Sequence, residues 1–377
     1  FIFFTVIYFI KRKYVSLTFI QNKYTISIML LASLVIFYLY LSDNTLYGIS
    51  KTIFFILKGV LPVFALGMLY PYNEKDKQLI LKVIIIGSFL MAIKLYAFGD
   101  TFAERATVSD QASSISVART IGFGSTILLG YLLLKPKLSF INVLIGLGFL
   151  VVCFFAVLIT GTRGPLLSIF FASFLIILLF STKGIRLKII AKLLIMLLMI
   201  GIGINVFQSD KIKDSFYGIN RIIYYTTTIG KNTSDRGRIE RYNVALNGIF
   251  ETGGLGVGTG GFATLYGVEG RDYPHNIFLE IMVEQGIMGV IAFILTLWVP
   301  FSKIISCKSK YRKDSIYPFI VAVWFYALFN SFVSFDISGN HLLWLSGGMV
   351  YFLNCKRLTF LKEVKNERIN DFSSSTS

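Results

Sequence analysis

Ten stretches of the chain are apolar for long enough to cross a lipid bilayer, or nearly so: roughly 24–42, 46–70, 78–98, 117–134, 138–160, 164–180, 187–207, 276–300, 315–335 and 340–355. A spanning helix needs about 17–25 such residues, because its backbone must be satisfied internally where water is absent. Residues 1–10 are apolar as well, stop at Lys11-Arg12-Lys13 and do not begin with Met, which predicts a helix whose start is missing. No basic leader or small-residue cleavage site marks a signal peptide. The expected fold class is an all-α integral membrane protein: a multi-span helical bundle of ten spans plus an N-terminal stub, about eleven or twelve spans in the full chain. The division that follows is N-terminal transmembrane helices over 1–207, a polar loop with short helices over 208–274, C-terminal transmembrane helices over 275–355 and a tail over 356–377.

Composition excludes the main alternatives. Only 15% of the 377 residues are charged and 55% are hydrophobic, whereas a water-soluble surface needs about a quarter charged. Thirty-seven Lys and Arg against 20 Asp and Glu give +17, an excess that in a soluble protein would suggest nucleic acid. Here it orients helices. If the loop at 11–23 is cytoplasmic, so are 71–77, 135–137, 181–188, 301–314 and the tail, and these hold 21 basic residues, against Arg105, Arg119 and Arg163 in the short opposite loops. That bias follows the positive-inside rule and predicts a cytoplasmic C-terminus, with the long loop on the other side. No nucleic-acid partner is expected. Cys153, Cys307 and Cys355 have neither metal-ligand nor disulfide spacing.

The loop at 208–274 carries 8 basic and 7 acidic residues and is nearly neutral. A connection this long is usually functional or disordered, and its later part argues for order. Asp235 precedes a helix-compatible run in which Ile239, Tyr242, Leu246 and Ile249 are spaced for one apolar face. Arg238 and Arg241, three apart, can point the same way and suit a phosphate or pyrophosphate; surface arginines paired with Glu240 and Asp235 are the alternative. Gly253 to Gly261 formally matches a dinucleotide fingerprint at Gly256, Gly258 and Gly261, but no strand–helix–strand unit surrounds it. A tight turn with exposed amides, able to approach a ligand closely, is the reading retained.

The loop ends at Tyr273-Pro274-His275-Asn276, where the next span begins. An imidazole at that boundary can accept a proton from a hydroxyl, although a lone His at a helix start is most often just polar and interfacial. Glu280 and Glu284 lie one turn apart inside the apolar run, where ionisable groups usually face a protein-lined cavity; they are candidates for binding hydroxyls or supporting an Arg. Arg163 stands between two spans, and Arg119 and Arg105 flank another loop. Lys58 falls within a span, either snorkelling or touching substrate. Asp336 and His341 are taken as structural.

These residues resemble the O-antigen polymerase and O-antigen ligase family of bacterial envelope glycosyltransferases. His275-Asn276, nine residues, then Gly286-Ile287-Met288-Gly289 fits its His-Asn, x9, Gly-x-x-Gly pattern. Arg163 followed by Leu167 resembles its Arg-x-x-x-Leu element, and Gly237-Arg238 leading into Leu255-Gly256-Val257-Gly258 resembles the stretch before the His motif. The resemblance implies a GT-C-like bundle in the bacterial cytoplasmic membrane and a metal-independent, inverting transfer from undecaprenyl diphosphate to a sugar hydroxyl, without a cofactor. It implies His275 as general base and Arg238 and Arg163 as catalytic cations. Arg241, Arg119, Asn276, Glu280 and Glu284 are the expected contacts to pyrophosphate or glycan. The implied partners are an undecaprenyl-diphosphate-linked oligosaccharide, membrane lipids, a chain-length regulator and other polysaccharide assembly proteins. Polymerase is preferred because the family serves many capsules and O-antigens. Ligation to a lipid A core, a lipid-linked glycan transporter, and a structural or sensory membrane protein are the alternatives.

Overall fold

The computed structural model describes residues 21–68, 74–99, 113–134, 138–180, 233–307 and 316–353. The stub at 1–10, the span at 187–207, Arg105, most of the loops expected on the cytoplasmic side and the tail lie outside the described residues. The twelve α-helices described here are α1 (Lys23–Phe37), α2 (Thr45–Phe55), α3 (Leu61–Met68), α4 (Glu74–Phe98), α5 (Ser114–Leu134), α6 (Phe140–Ile159), α7 (Arg163–Phe180), α8 (Thr233–Glu251), α9 (Phe262–Leu265), α10 (Ile277–Cys307), α11 (Tyr317–Ser331) and α12 (His341–Phe352). A π-helical turn over Ile56–Val60 joins α2 to α3. Seven of these segments are long and apolar enough to cross a membrane. With the shorter α11 and α12 they account for nine of the ten expected spans.

Bundle helices in lipid gain little from excluding water from one another, so close backbone approach through small residues holds them. In α5, a Cβ at Gly122 would strike the Tyr326 ring and one at Gly124 would strike Ser88. The space that Gly122 leaves lets the Tyr326 hydroxyl donate to the Arg119 carbonyl at 3.0 Å, joining α11 to α5. Gly347 does the same for Tyr24, whose hydroxyl crosses from α1 to the Trp344 carbonyl of α12 at 2.8 Å. Helix α5 is largely enclosed by α4, α6, α7 and α11, while α10 packs along α1.

Helix α10 extends well past residue 300, through Pro300 to Cys307, and it is broken at Gly286. There φ is 61° and ψ −160°, a conformation open in practice only to glycine. The break frees backbone carbonyls, and the glycine run fills them. Val257 and Gly258 amides donate to the Val283 and Glu284 carbonyls at 2.9 and 3.0 Å, and Ile287 N donates back to Gly254 O at 2.9 Å. Thr259 then reaches α1 and the turn after it, its amide to Tyr38 O and its hydroxyl to Val35 O. The amides expected to face a ligand are therefore spent on the protein. The run is a clasp, and it needs glycine because neighbouring backbone occupies the place of a Cβ at Gly256 and Gly258.

Helix α8 forms where expected, and Ile249 of the expected face does pack against the cluster of Ala245, Phe262 and Val283, but the rest of that face is not the buried one. Ala245 and Gly248 are buried, and Gly248 sits against Leu265 and Val283, whereas Ile239 and Leu246 are 51% and 42% exposed. At its closest approach, where a Cβ on Gly248 would meet Leu265 and Val283, there is no room for a large side chain, so small residues sit at the centre of the inner face, with Val244 and Ile249 beside them.

Gly286→Ala should lower thermal stability in detergent by at least about 1–3 kcal/mol. Gly87→Ala and Gly148→Ala, in helix interiors with open space around them, should be neutral or stabilising by up to about 1 kcal/mol.

Candidate functional site

Three segments converge beneath the start of α10. Asn276 caps that helix, its side-chain oxygen accepting from the Phe278 and Leu279 amides at 2.9 and 3.2 Å. That oxygen, expected to touch substrate, is occupied by the helix end. Glu280 and Glu284 find a partner within the protein: they grip Lys51 of α2. Lys51 Nζ lies 2.5 Å from Glu280 Oε1 and 2.6 Å from Glu284 Oε2, with all three side chains at most 1% exposed. Two buried carboxylates need a cation, and a lysine in a span needs an anion. The sequence carried this signal, since Lys51 sits in the apolar stretch 46–70, but nothing in it showed which helix would supply the acids.

The cluster extends to the loop between α11 and α12. Glu280 Oε1 accepts from the Ile337 amide at 3.0 Å. Asp336 accepts from the Tyr47 hydroxyl (3.0 Å), Arg271 (3.3 Å), the Ser338 hydroxyl (2.9 Å) and the Gly339 amide (2.7 Å). Burial pushes the Asp336 carboxyl upward, but Lys51, Arg271 and these donors outweigh it and hold it below its ordinary value. Asn340 closes the loop by donating to the Ser334, Phe335 and Asp336 carbonyls. Its oxygen receives Arg119 Nη2 at 2.7 Å, and the Arg119 guanidinium also lies 5.0 Å from the centre of the Phe335 ring. Arg163 opens α7 after Gly161, whose φ is 65°, and the neighbouring Gly164 packs on Val333 at the start of the same loop.

On the other side of α10, Asp272 takes Arg241 in a fork, at 2.9 Å to Nε and 2.8 Å to Nη2, while Nη1 donates to Gly237 O. Arg241 also lies over Tyr266, 4.4 Å from the ring centre. All three of its nitrogens are engaged. Arg238, one turn earlier on α8, is half-buried. Asp272 is a partner not foreseen in the sequence, where a phosphate is the main reading for the two arginines and pairing with Glu240 and Asp235 the alternative.

His275 stands between these groups. It and Phe335 are the non-glycine residues with positive φ, 60° and 64°, among the described residues. Such backbone strain persists where surroundings over-determine it, and it gathers at functional sites. The imidazole packs against Tyr273, with ring centres 4.5 Å apart, and its Nδ1 is buried without a partner. Burial, reinforced by the charges of Arg238 and Arg241, lowers its pKa to about 4. His275 is therefore neutral at pH 7. The charges of Arg238 and Arg241 both act on the His275 ring, so the three share one electrostatic neighbourhood; Arg119 is tied to the α11–α12 loop through Asn340 and Phe335.

Removing Lys51 would leave two carboxylates facing one another in a dry interior. Lys51→Met should cost about 3–5 kcal/mol, read as a lowered melting temperature in detergent. Glu284→Gln should cost less, because Glu280 still pairs with the lysine; equal losses would argue against the ion pairs as the origin.

A comparison with curated proteins found no match. A comparison with protein families matched residues 148–294 to the family described as O-antigen ligase. That segment runs from α6 through α7, α8 and the glycine clasp to the first half of α10, so it contains Arg163, Arg238, Arg241, His275 and the break at Gly286. Lys51, Arg119 and the α11–α12 loop lie outside it. The chain thus carries an O-antigen ligase family domain at residues 148–294, which bears out its resemblance to the O-antigen polymerase and ligase family.

Proposed function

We propose that the protein is a glycosyltransferase that polymerises O-antigen or capsular repeat units, moving a glycan from undecaprenyl diphosphate to a sugar hydroxyl of another lipid-linked unit. The reading places this chemistry at the outer face of the cytoplasmic membrane. The observation that carries it is the strained, neutral His275 beside Arg238, within the segment that matches the family. In the proposed step the acceptor oxygen attacks the anomeric carbon from the face opposite the leaving group, inverting it. The carbon–oxygen bond to the diphosphate breaks, and the departing diphosphate keeps the electron pair. The acceptor's proton goes to His275, without a metal ion. Arg238 and Arg163 stabilise the charge that develops on the diphosphate. Arg241, held by Asp272, positions the turn of α8 that carries Arg238.

The low pKa of His275 has a consequence for this step. A base near 4 is weak, but a bound diphosphate offsets the arginine charges that depress it, so basicity rises when donor arrives. The family match is described as a ligase, which favours, as a second reading, transfer of a finished chain to a lipid A core or other acceptor. The match lends no support to a transporter.

Purified protein given lipid-linked repeat units alone should produce a ladder; product only with a separate acceptor would replace polymerase by ligase. His275→Gly, which tolerates the positive φ, should reduce turnover about 10²–10⁴-fold, with imidazole restoring part of it. Undiminished activity in His275→Gly would remove the histidine from the mechanism. The acidic limb of kcat/KM, which reports the free enzyme, should lie near pH 4, and that of kcat at higher pH. In Arg238→Ala, where one depressing charge is gone, the His275 titration followed by NMR should move up toward the ordinary histidine value.

A further inference from the structure

A histidine that serves as a base is ordinarily aimed by a third group that bonds its other ring nitrogen. His275 lacks that support on one side: its Nδ1 is buried without a partner among the described residues. The ring it packs on is Tyr273, with centres 4.5 Å apart and planes inclined by 60°. The orientation of His275 therefore depends on what holds Tyr273.

The residues from Gly270 to Tyr273 are pinned to three separate elements. The Gly270 carbonyl accepts from the side chain of Asn44, the N-cap of α2, at 3.1 Å. Arg271 Nη2 donates to Asp336 Oδ2 in the α11–α12 loop at 3.3 Å. Asp272 takes the Arg241 fork from α8, and its Oδ1 also accepts from the Tyr273 amide at 2.7 Å. The backbone leading to Tyr273 is thus fixed by α2, α8 and the α11–α12 loop at once.

The Tyr273 ring is backed by Arg271, whose guanidinium carbon lies 5.4 Å from the ring centre. A guanidinium is flat, so one group can pair with a carboxylate and lie against an aromatic ring, which an ammonium does less well. Its anchor is firm: Asp336 is 1% exposed and also accepts from Tyr47, Ser338 and the Gly339 amide. Arg271 itself is 54% exposed, and an ion pair screened in this way contributes little to stability. What it contributes is geometry.

We infer that Arg271 is a positioning residue for His275: braced on Asp336, it backs the Tyr273 ring, and that ring sets the orientation of the imidazole. The inference rests on reading His275 as the base of glycosyl transfer, and it assigns Arg271 no contact with substrate.

The chain has two histidines, His275 and His341, so ring-labelled histidine gives two sets of NMR signals from the full chain in nanodiscs, and His341→Gln assigns them. The ring current of Tyr273 displaces the His275 signal. Arg271→Gln should remove most of that displacement and leave His341 in place, whereas Arg271→Lys, which keeps the charge but not the plane, should fall between. Tyr273→Leu, which removes the ring, should reproduce the Arg271→Gln result. In turnover, Arg271→Gln should lower kcat about 10–10²-fold, the loss expected from a small misplacement of a reacting group, with KM nearly unchanged. In His275→Gly rescued by imidazole the base is no longer tethered, so Arg271→Gln should cost nothing further. A full further loss in that background would make Arg271 a substrate contact or a general support of the fold, and would overturn the inference. An unmoved His275 signal in Arg271→Gln would overturn it too. A displaced signal in Arg271→Gln, together with full activity in His275→Gly, would leave the positioning intact and refute the histidine's part in transfer.

Discussion

A helix broken inside a membrane leaves carbonyls that water cannot reach, and something in the protein must donate to them. At Gly286 that requirement is met by Val257 and Gly258, from a segment outside the spans. The break and the glycine run are therefore one device. It anchors the polar segment after α8 to the bundle and sets the distance between α8, which carries Arg238, and the start of α10, which carries His275. Thr259 extends the anchorage to α1, and Gln285 supports it by donating to the Thr259 hydroxyl at 3.1 Å.

Lys51 does the corresponding work on the opposite side of α10. Its two glutamates fix the rotation of the helix just below His275, and Glu280 passes the constraint to the Asp336 loop through the Ile337 amide. That loop in turn supplies Asn340 to Arg119 and Phe335 to the face of its guanidinium. Polar groups that a soluble protein would leave to solvent are here each other's partners. The few left over, His275 Nδ1 and two nitrogens of Arg119 among them, are conspicuous for that reason.

Much of this was legible before any coordinates. Hydropathy alone located nine spans among the described residues, with the end of α10 the main error in their bounds, since a span must be apolar over nearly its whole length. The His-Asn and Gly-x-x-Gly spacing singled out His275 and Gly286 but gave no hint that Gly286 marks a broken helix. Long-range pairing was hidden. Glu280 and Glu284 look the same in sequence whether they meet a sugar or a lysine on a distant helix, 233 residues away from Glu284, and Arg241 gives no sign that Asp272, not Glu240, will hold it. The buried face of α8 was misassigned because periodicity favours large apolar residues, whereas a close helix crossing selects Ala245 and Gly248.

The large apolar residues displaced from that crossing remain on the outside. Ile239, Leu246 and Phe250 are exposed along α8, and Leu255 follows at 70% exposure. A helix with such an edge, attached to a membrane bundle, settles where headgroups meet acyl chains. Arg238 rides on that same helix. Such an edge would give the lipid surface a hold on the same helix that the clasp anchors from within, steadying Arg238 from two sides.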